Sequence, residues 1–431
     1  MFGLPHVGAC VFSTVGSRGC RWCATAVTGG CAVTGGPLHP QLLRPRRGVE
    51  RTTSTELFFD LVYVFTITQL SHYLARNLSW QGVGRTAVLL GLVWLVWIYT
   101  VWAGNWLHPD RTPVRATLLV VTLGSLLLAA ALPSAFGANG LLFAAAYAAV
   151  QVGRTAFSMW AIRGERWLGD SFRQCVVWVT GTSALAIVGG LVDAPARELI
   201  WIAVIIVDSV GLATGFPVPG MGRSTPEHWQ VEGGHLAERC QAFILIALGE
   251  SILITGGTLT QRLDRVTIAA FLLAFAGSVA LWWVYFDRAQ ASMTALAAAG
   301  ARAGRLSRLV FNYLHPVMVG GIVVTAVGDE RLLHDPGEPV GWPSALVVLG
   351  GPALFLAGHA AYQLALGDAG VVARVAATLL LLALSPAAVA LRAPIALAAG
   401  VALLITVGVI VADRGSARRA PQSRGPRSPL R

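Results

Sequence analysis

The sequence predicts an all-α protein, a polytopic transmembrane bundle of about twelve helices. Of the 431 residues, 55% are apolar and only 12% are charged, about half the ~25% charged fraction of an average soluble domain. The apolar residues lie in runs of about 20 residues, the length that a helix needs to cross roughly 30 Å of hydrocarbon. No run shows the alternating pattern of a membrane β-barrel.

Twelve such runs follow one another along the chain, and the sequence supports a count of ten to twelve spans. The fourth run contains Arg154, and the last two runs are separated by only a short segment. Six helices per half would allow two halves in parallel orientation, related by an internal repeat. The predicted spans are 56–75, 86–106, 114–132, 140–162, 173–192, 197–216, 236–256, 266–286, 309–328, 344–366, 371–390 and 394–412.

Three regions differ in composition. Residues 1–48 hold no run long enough to span and no clear signal-peptide core, which predicts a disordered leader or a wrongly assigned start codon. The pair Cys20 and Cys23 in this leader is a weak zinc pattern, because no second pair accompanies it. Residues 49–412 form the membrane domain, and residues 413–431 are predicted to be a disordered basic tail.

The distribution of arginine predicts the orientation. With the N-terminus in the cytoplasm, the segment just before the first helix, the inner loops and the tail together hold 21 arginines, and the outer loops hold 7. This bias predicts a cell-membrane protein with both termini cytoplasmic. It also accounts for the net charge of +11 without nucleic acid as a partner. The tail is expected to contact anionic lipid at the cytoplasmic face.

Ionisable residues inside the runs are the candidate functional residues, because a charge at the bilayer centre costs about 2.5–3.5 kcal/mol. In the first run, ELFFDLVYVF, Glu56 and Asp60 are four residues apart and share one helix face. The seventh, HLAERCQAFILIALGES, contains His235, Glu238 and Glu250. Glu250 lies about 18 Å deeper than Glu238 at ~1.5 Å per residue.

Further charges lie in or beside other runs. Arg154 is in the inner half of the fourth helix, Asp208 near the middle of the sixth, Arg239 near the inner end of the seventh, and Asp287 at the end of the eighth. One interpretation is a packing network in which Arg154 and Arg239 neutralise the acids. The other is a polar pathway for a proton, an ion or a small solute. Its candidate residues are Glu56, Asp60, Asp208, His235, Glu238, Glu250 and Asp287.

A specific pairing follows from the orientation. The first and seventh helices both begin at the cytoplasmic side, so Asp60 and Arg239 lie at comparable depth and are expected to pair. Glu250 lies too far along the helix to join them. It therefore needs another partner, for which Arg154 is the candidate, or it is protonated.

No catalytic or cofactor motif is present. The sequence contains no H-E-x-x-H, no P-loop and no G-x-S-x-G elbow. We therefore predict no enzyme activity, no metal and no cofactor.

The segments ELFFDLVYVFTITQLS (56–71), HLAERCQAFILIALGESI (235–252) and WWVYFD (282–287) resemble the hallmark segments of the bacterial low-temperature-requirement A (LtrA) proteins. The resemblance covers about 50–412 and leaves out the leader. It implies a multi-spanning membrane protein connected with growth at low temperature, without a settled substrate or reaction. Two hypotheses remain: a proton- or ion-coupled transporter, and a structural or regulatory protein of cold adaptation whose buried charges hold the helices together.

Overall fold

A computed structural model describes residues 42–44, 52–163, 166–224, 233–259, 263–298, 303–368 and 370–419. The regular structure of this part of the chain is helical, with isolated β-bridges in place of strands. The helices are α1 (Ser54–Arg76), α2 (Trp80–Gly104), α3 (Thr112–Ala131), α4 (Gly140–Ile162), α5 (Arg166–Leu191), α6 (Ala196–Thr214), α7 (Gly233–Leu259), α8 (Arg265–Phe286), α9 (Ala289–Ala298), α10 (Ala303–Ser307), α11 (His315–His334), α12 (Trp342–Val348), α13 (Gly350–Leu366), α14 (Val371–Ala390) and α15 (Ile395–Arg419).

Ten helical segments within the described residues are long and apolar enough to cross a membrane, by length and composition. The predicted spans 56–75 and 197–216 correspond to α1 and α6, which are not among the ten. Both helices carry ionisable residues, which lower their apolar character. The predicted count of twelve and the arrangement in two halves are therefore not confirmed, whereas the all-helical fold class is.

Local sequence explains several helix ends. Thr53 and Glu56 form a reciprocal capping box at the start of α1, and Ser79 accepts a hydrogen bond from the backbone of Gly82 at the start of α2. Asp264 accepts from two backbone N–H groups at the start of α8. Gly215 ends α6 with a φ of 82°, a conformation that favours glycine.

Helices differ in how much lipid they face. In α2, 83% of the most apolar window is buried inside the bundle, against 17% in α14. The side chains of α2 therefore contact mainly other helices. Trp94 and Trp97 of α2 pack against Phe243 of α7, with ring centroid distances of 5.2 and 4.6 Å. Exposed leucines on α3 and α14 belong to the face that we assign to lipid.

The helices α1 and α7 run parallel. Asp60 near the start of α1 contacts Arg239 near the start of α7, and Thr68 farther along α1 contacts Glu250 farther along α7. This arrangement confirms the prediction that the two helices are neighbours entering from one side.

The two ends of the chain depart from the predicted domain boundaries. Leu43 forms a β-bridge with Leu107 beyond the end of α2, and Arg44 pairs with Glu56. Leu43 and Arg44, which belong to the predicted leader, therefore contact the bundle. At the other end α15 continues to Arg419, past the predicted limit of residue 412. The remainder of the predicted leader and tail lies outside the described residues.

Candidate functional site

Asp60 and Arg239 form a bidentate ion pair inside the bundle. Arg239 Nε donates to Asp60 Oδ2 at 2.8 Å and Nη2 donates to Oδ1 at 2.6 Å. Trp97 Nε1 donates to the same Oδ1 at 2.8 Å. Both charged side chains are almost completely buried. The predicted pairing is confirmed, and Asp60 is held by three donors.

Glu56 joins this pair to the N-terminal segment. Its carboxylate accepts hydrogen bonds from Thr53 and from Arg44 Nη2, and it lies 3.4 Å from Arg239 Nη1. His235 Nε2 lies 3.0 Å from Glu56 Oε1. Two carboxylates thus face two arginines, and we call these residues with His235 and Trp97 the α1–α7 ion network.

Glu238 and Asp287 lie outside this network. Glu238 is partly exposed and accepts a hydrogen bond from Thr52 at 3.3 Å. Asp287 follows the last residue of α8 and is exposed. Asp287, a candidate residue of the polar pathway, therefore lies at the exposed end of α8 and not among the buried acids.

Glu250 has a different environment. Its side chain is only 1% exposed, and Thr68 donates to Oε2 at 2.5 Å. Within the described residues, Oε1 has no hydrogen-bond partner and no arginine lies within ion-pair distance of the carboxylate. His72 on α1 and Glu330 on α11 are ionisable residues close to Glu250.

Two further acids follow the predicted span 309–328 and lie close to the Glu250–Ser251 segment of α7. Asp329 and Glu330 belong to α11, where Asp329 is 8% exposed. The Ser251 hydroxyl, next to Glu250 on α7, is in hydrogen-bonding reach of Asp329. Asp329 Oδ2 and Glu330 Oε2 have no partner in the part of the chain that the structure describes. Glu250, Asp329 and Glu330 form what we call the three-acid cluster.

An open space reaches Asp329 from the side of α8 and α15. Its empty volume is about 440 Å³, and Asp329 and Thr325 of α11 and Thr406 of α15 contribute the polar part of its wall. No group of three or more His, Cys, Asp or Glu side chains among the described residues could hold a metal ion. What the cluster offers is carboxylate oxygens and hydroxyls beside an apolar opening.

Asp208 and Arg154 do not form an ion pair with each other, and Arg154 forms none with any other acid that the structure describes. Asp208 accepts hydrogen bonds from Tyr147 at 3.0 Å and from Thr182 at 2.9 Å. Arg154 donates to the backbone oxygen of Val96 and to hydroxyls, and no described carboxylate lies within 4.0 Å of it. The predicted role of Arg154 as an ion-pair partner is therefore wrong, since α4 packs it against α2 instead.

A second ion network lies at the ends of the last helices. Arg374 at the start of α14 is fully buried and makes two hydrogen bonds, of 3.0 and 2.7 Å, to Asp413 of α15. Its Nε donates to His359 Nδ1 at 2.8 Å. Arg288 bridges Asp413 and Asp368. The sequence analysis missed this network, because all of these groups except His359 lie at the margins of apolar runs, where such residues ordinarily reach water.

Known proteins were compared with the chain. The family model described as bacterial low temperature requirement A protein (LtrA) matches residues 51–409. An uncharacterized protein of Rhizobium meliloti (strain 1021), RA0937, is 38% identical over 325 residues, which cover 74% of this chain and 79% of that protein. No solved structure matches the chain.

Proposed function

The chain belongs to the bacterial low temperature requirement A family, and from this premise we propose that it is a proton- or cation-coupled transporter of the cell membrane. The observation that carries the proposal is Glu250, an enclosed acid that has, among the described residues, one carboxylate oxygen without a partner and no arginine within ion-pair distance. The substrate that moves with the ion is a small solute.

A buried carboxylate without a basic partner is stable only when a proton or a bound cation neutralises it. Glu250 fulfils this condition, whereas Asp60 does not, because Arg239 neutralises Asp60 permanently. We therefore assign ion binding to the three-acid cluster and helix packing to the α1–α7 ion network. Asp60 is no longer a candidate carrier.

The surroundings of Glu250 support exchange of an ion. Thr68 donates to Glu250, Ser251 lies near Asp329, and the Ser71 hydroxyl on α1 is buried without a hydrogen-bond partner in the described part of the chain. Glu330 lies close enough to Glu250 for the two carboxylates to repel each other if both were ionised, so uptake of one cation or proton relieves that repulsion. The opening beside Asp329 offers a way to the cluster from between α8 and α15.

The test is flux through the purified chain in liposomes that contain a pH-sensitive dye, with imposed H⁺, Na⁺ and K⁺ gradients. We expect Glu250→Gln to remain folded and to abolish flux, because the amide mimics the neutral acid and neither releases a proton nor binds a cation. Asp287→Asn is the matched control, an exposed acid that should leave flux unchanged.

The stability of the Glu250→Gln variant distinguishes a role of Glu250 in transport from a role in helix packing. If Glu250 serves only to hold α1 and α7 together through Thr68, then Glu250→Gln lowers the unfolding midpoint. Wild-type flux in Glu250→Gln, or no flux of any of the three ions through the wild-type protein, contradicts the proposal.

A further inference from the structure

A second cavity lies between α2, α4, α5 and the end of α6, away from the three-acid cluster. Its empty volume is about 560 Å³. The polar groups of its wall come from Tyr99, Arg154, Thr155, Ser158 and Arg308, and the remaining wall is mainly aromatic and aliphatic. The cavity therefore combines an apolar interior with a cationic wall.

The charge of Arg154 is not neutralised by the described protein. Its side chain is 4% exposed. Nη1 donates to Val96 O and Thr100 Oγ1, each at 3.2 Å, and Nη2 donates to Thr155 Oγ1 at 3.2 Å. All of these acceptors are neutral. Asp208 feels the charge of Arg154 but lies beyond ion-pair distance, and its carboxylate accepts from Tyr147 and Thr182.

Among the described residues, Arg154 differs from the other buried arginines because it has no carboxylate partner. Arg239 and Arg374 each make a bidentate pair with an aspartate. Arg197 has Asp193 at 3.7 Å and donates to four backbone carbonyls. Arg154 is buried to the same degree without a carboxylate. An uncompensated buried charge is costly, which favours an anion from outside the chain.

A second polar group in the wall is also without a partner. The Tyr99 side chain is 5% exposed, and its hydroxyl has no hydrogen-bond partner in the described part of the chain. The Arg154 guanidinium lies 5.3 Å from the centre of the Tyr99 ring. A buried hydroxyl usually finds an acceptor, so the cavity presents a cation and a donor that both need an oxygen.

We propose that this cavity binds a small organic anion, a carboxylate with a short hydrocarbon body. The carboxylate pairs with Arg154 and accepts from the Tyr99 hydroxyl, while the hydrocarbon part contacts side chains such as Phe172 and Leu212. Arg154 has no carboxylate partner among the described residues, and its guanidinium fork suits a carboxylate. The site is separate from Glu250, so binding is measurable whether or not the chain transports ions.

Thermal unfolding of the full chain in detergent at constant ionic strength tests the proposal. The probes are hexanoate, chain-matched hexanol and hexylammonium, with sodium chloride and inorganic phosphate as simple ions. We expect hexanoate alone to raise the unfolding temperature in a saturable way. Loss of a charge-assisted contact should raise its half-maximal concentration about ten-fold or more in Arg154→Gln.

Two variants keep the test decisive if Arg154→Gln fails to fold. Ala103→Leu fills the cavity without touching the charge and should abolish the hexanoate effect. Arg85→Gln removes an arginine that pairs with Glu198 elsewhere and should respond like the wild type. A response that depends on Ala103 but occurs with stearate alone would identify a membrane fatty acid as the ligand and would contradict the short-chain proposal.

Several outcomes overturn it. Equal stabilisation by hexanol would show an apolar site without a role for the charge. Equal stabilisation by chloride or phosphate would show that the organic body is not recognised. A hexanoate response in Ala103→Leu that matches the wild type, or no saturable response in the wild type, would place binding elsewhere or exclude it.

Discussion

Asp60→Asn tests whether the α1–α7 ion network stabilises the bundle. The substitution retains the shape of the side chain and removes the charge that Arg239 and Trp97 contact. Arg239 then keeps only the weaker contact with Glu56 at 3.4 Å. Breaking a buried ion pair costs about 3–5 kcal/mol, and the remaining Glu56 contact leads us to expect the lower end, about 3 kcal/mol.

The assay is reversible unfolding by sodium dodecyl sulfate in mixed micelles, followed by circular dichroism. The control is Glu198→Gln, which breaks the ion pair between Glu198 and Arg85. The side chain of Glu198 is 21% exposed and that of Arg85 is 23% exposed. Exposed pairs contribute about 0–1 kcal/mol. A double-mutant cycle with Arg239→Gln should give a coupling energy of about 1–3 kcal/mol. An Asp60→Asn cost no larger than that of Glu198→Gln would refute the reasoning.

Three other predictions concern packing, the second network and orientation. Gly321→Ala should destabilise the protein by about 1–3 kcal/mol, because its new methyl group meets the backbone of α13. The control Gly249→Ala places its methyl group where nothing lies within 4 Å. In the same unfolding assay it should be neutral or stabilising by up to about 1 kcal/mol. Asp413→Asn should lower the free energy of unfolding by about 3 kcal/mol, since Arg374 then stays buried with a neutral partner. A loss of stability no larger than that of Asp287→Asn, at an exposed position, would contradict this prediction. A reporter fused to the C-terminus should be active only in the cytoplasm, and periplasmic activity would reverse the predicted orientation.

The helical elements were predictable because helix formation in a membrane depends on local composition. A run of about 20 apolar residues satisfies its own backbone hydrogen bonds and spans the hydrocarbon whatever its neighbours are. The structure accordingly has a helix at each predicted run. Membership of the family was also predictable from the sequence, because acids embedded in apolar runs form a specific pattern.

One tertiary contact, Asp60 with Arg239, was predictable from energy alone. Two opposite charges at the same depth on helices that start from one side lower their cost by pairing. The partner of Arg154 was not predictable in this way, because depth does not say which helices are lateral neighbours. Packing of α4 against α2 supplied neutral acceptors instead.

The sequence by itself determined the helical class, the approximate spans and the acids of α1 and α7, because hydrophobic length and charge are local properties of the chain. Only the tertiary structure decided which charges are enclosed. Asp329 and Asp413 stand at the margins of their runs, where the same residue can face water or protein. Whether it is buried depends on α11 and α15 extending beyond the apolar segment and on the helices packed around them, and these are contacts between segments distant in sequence.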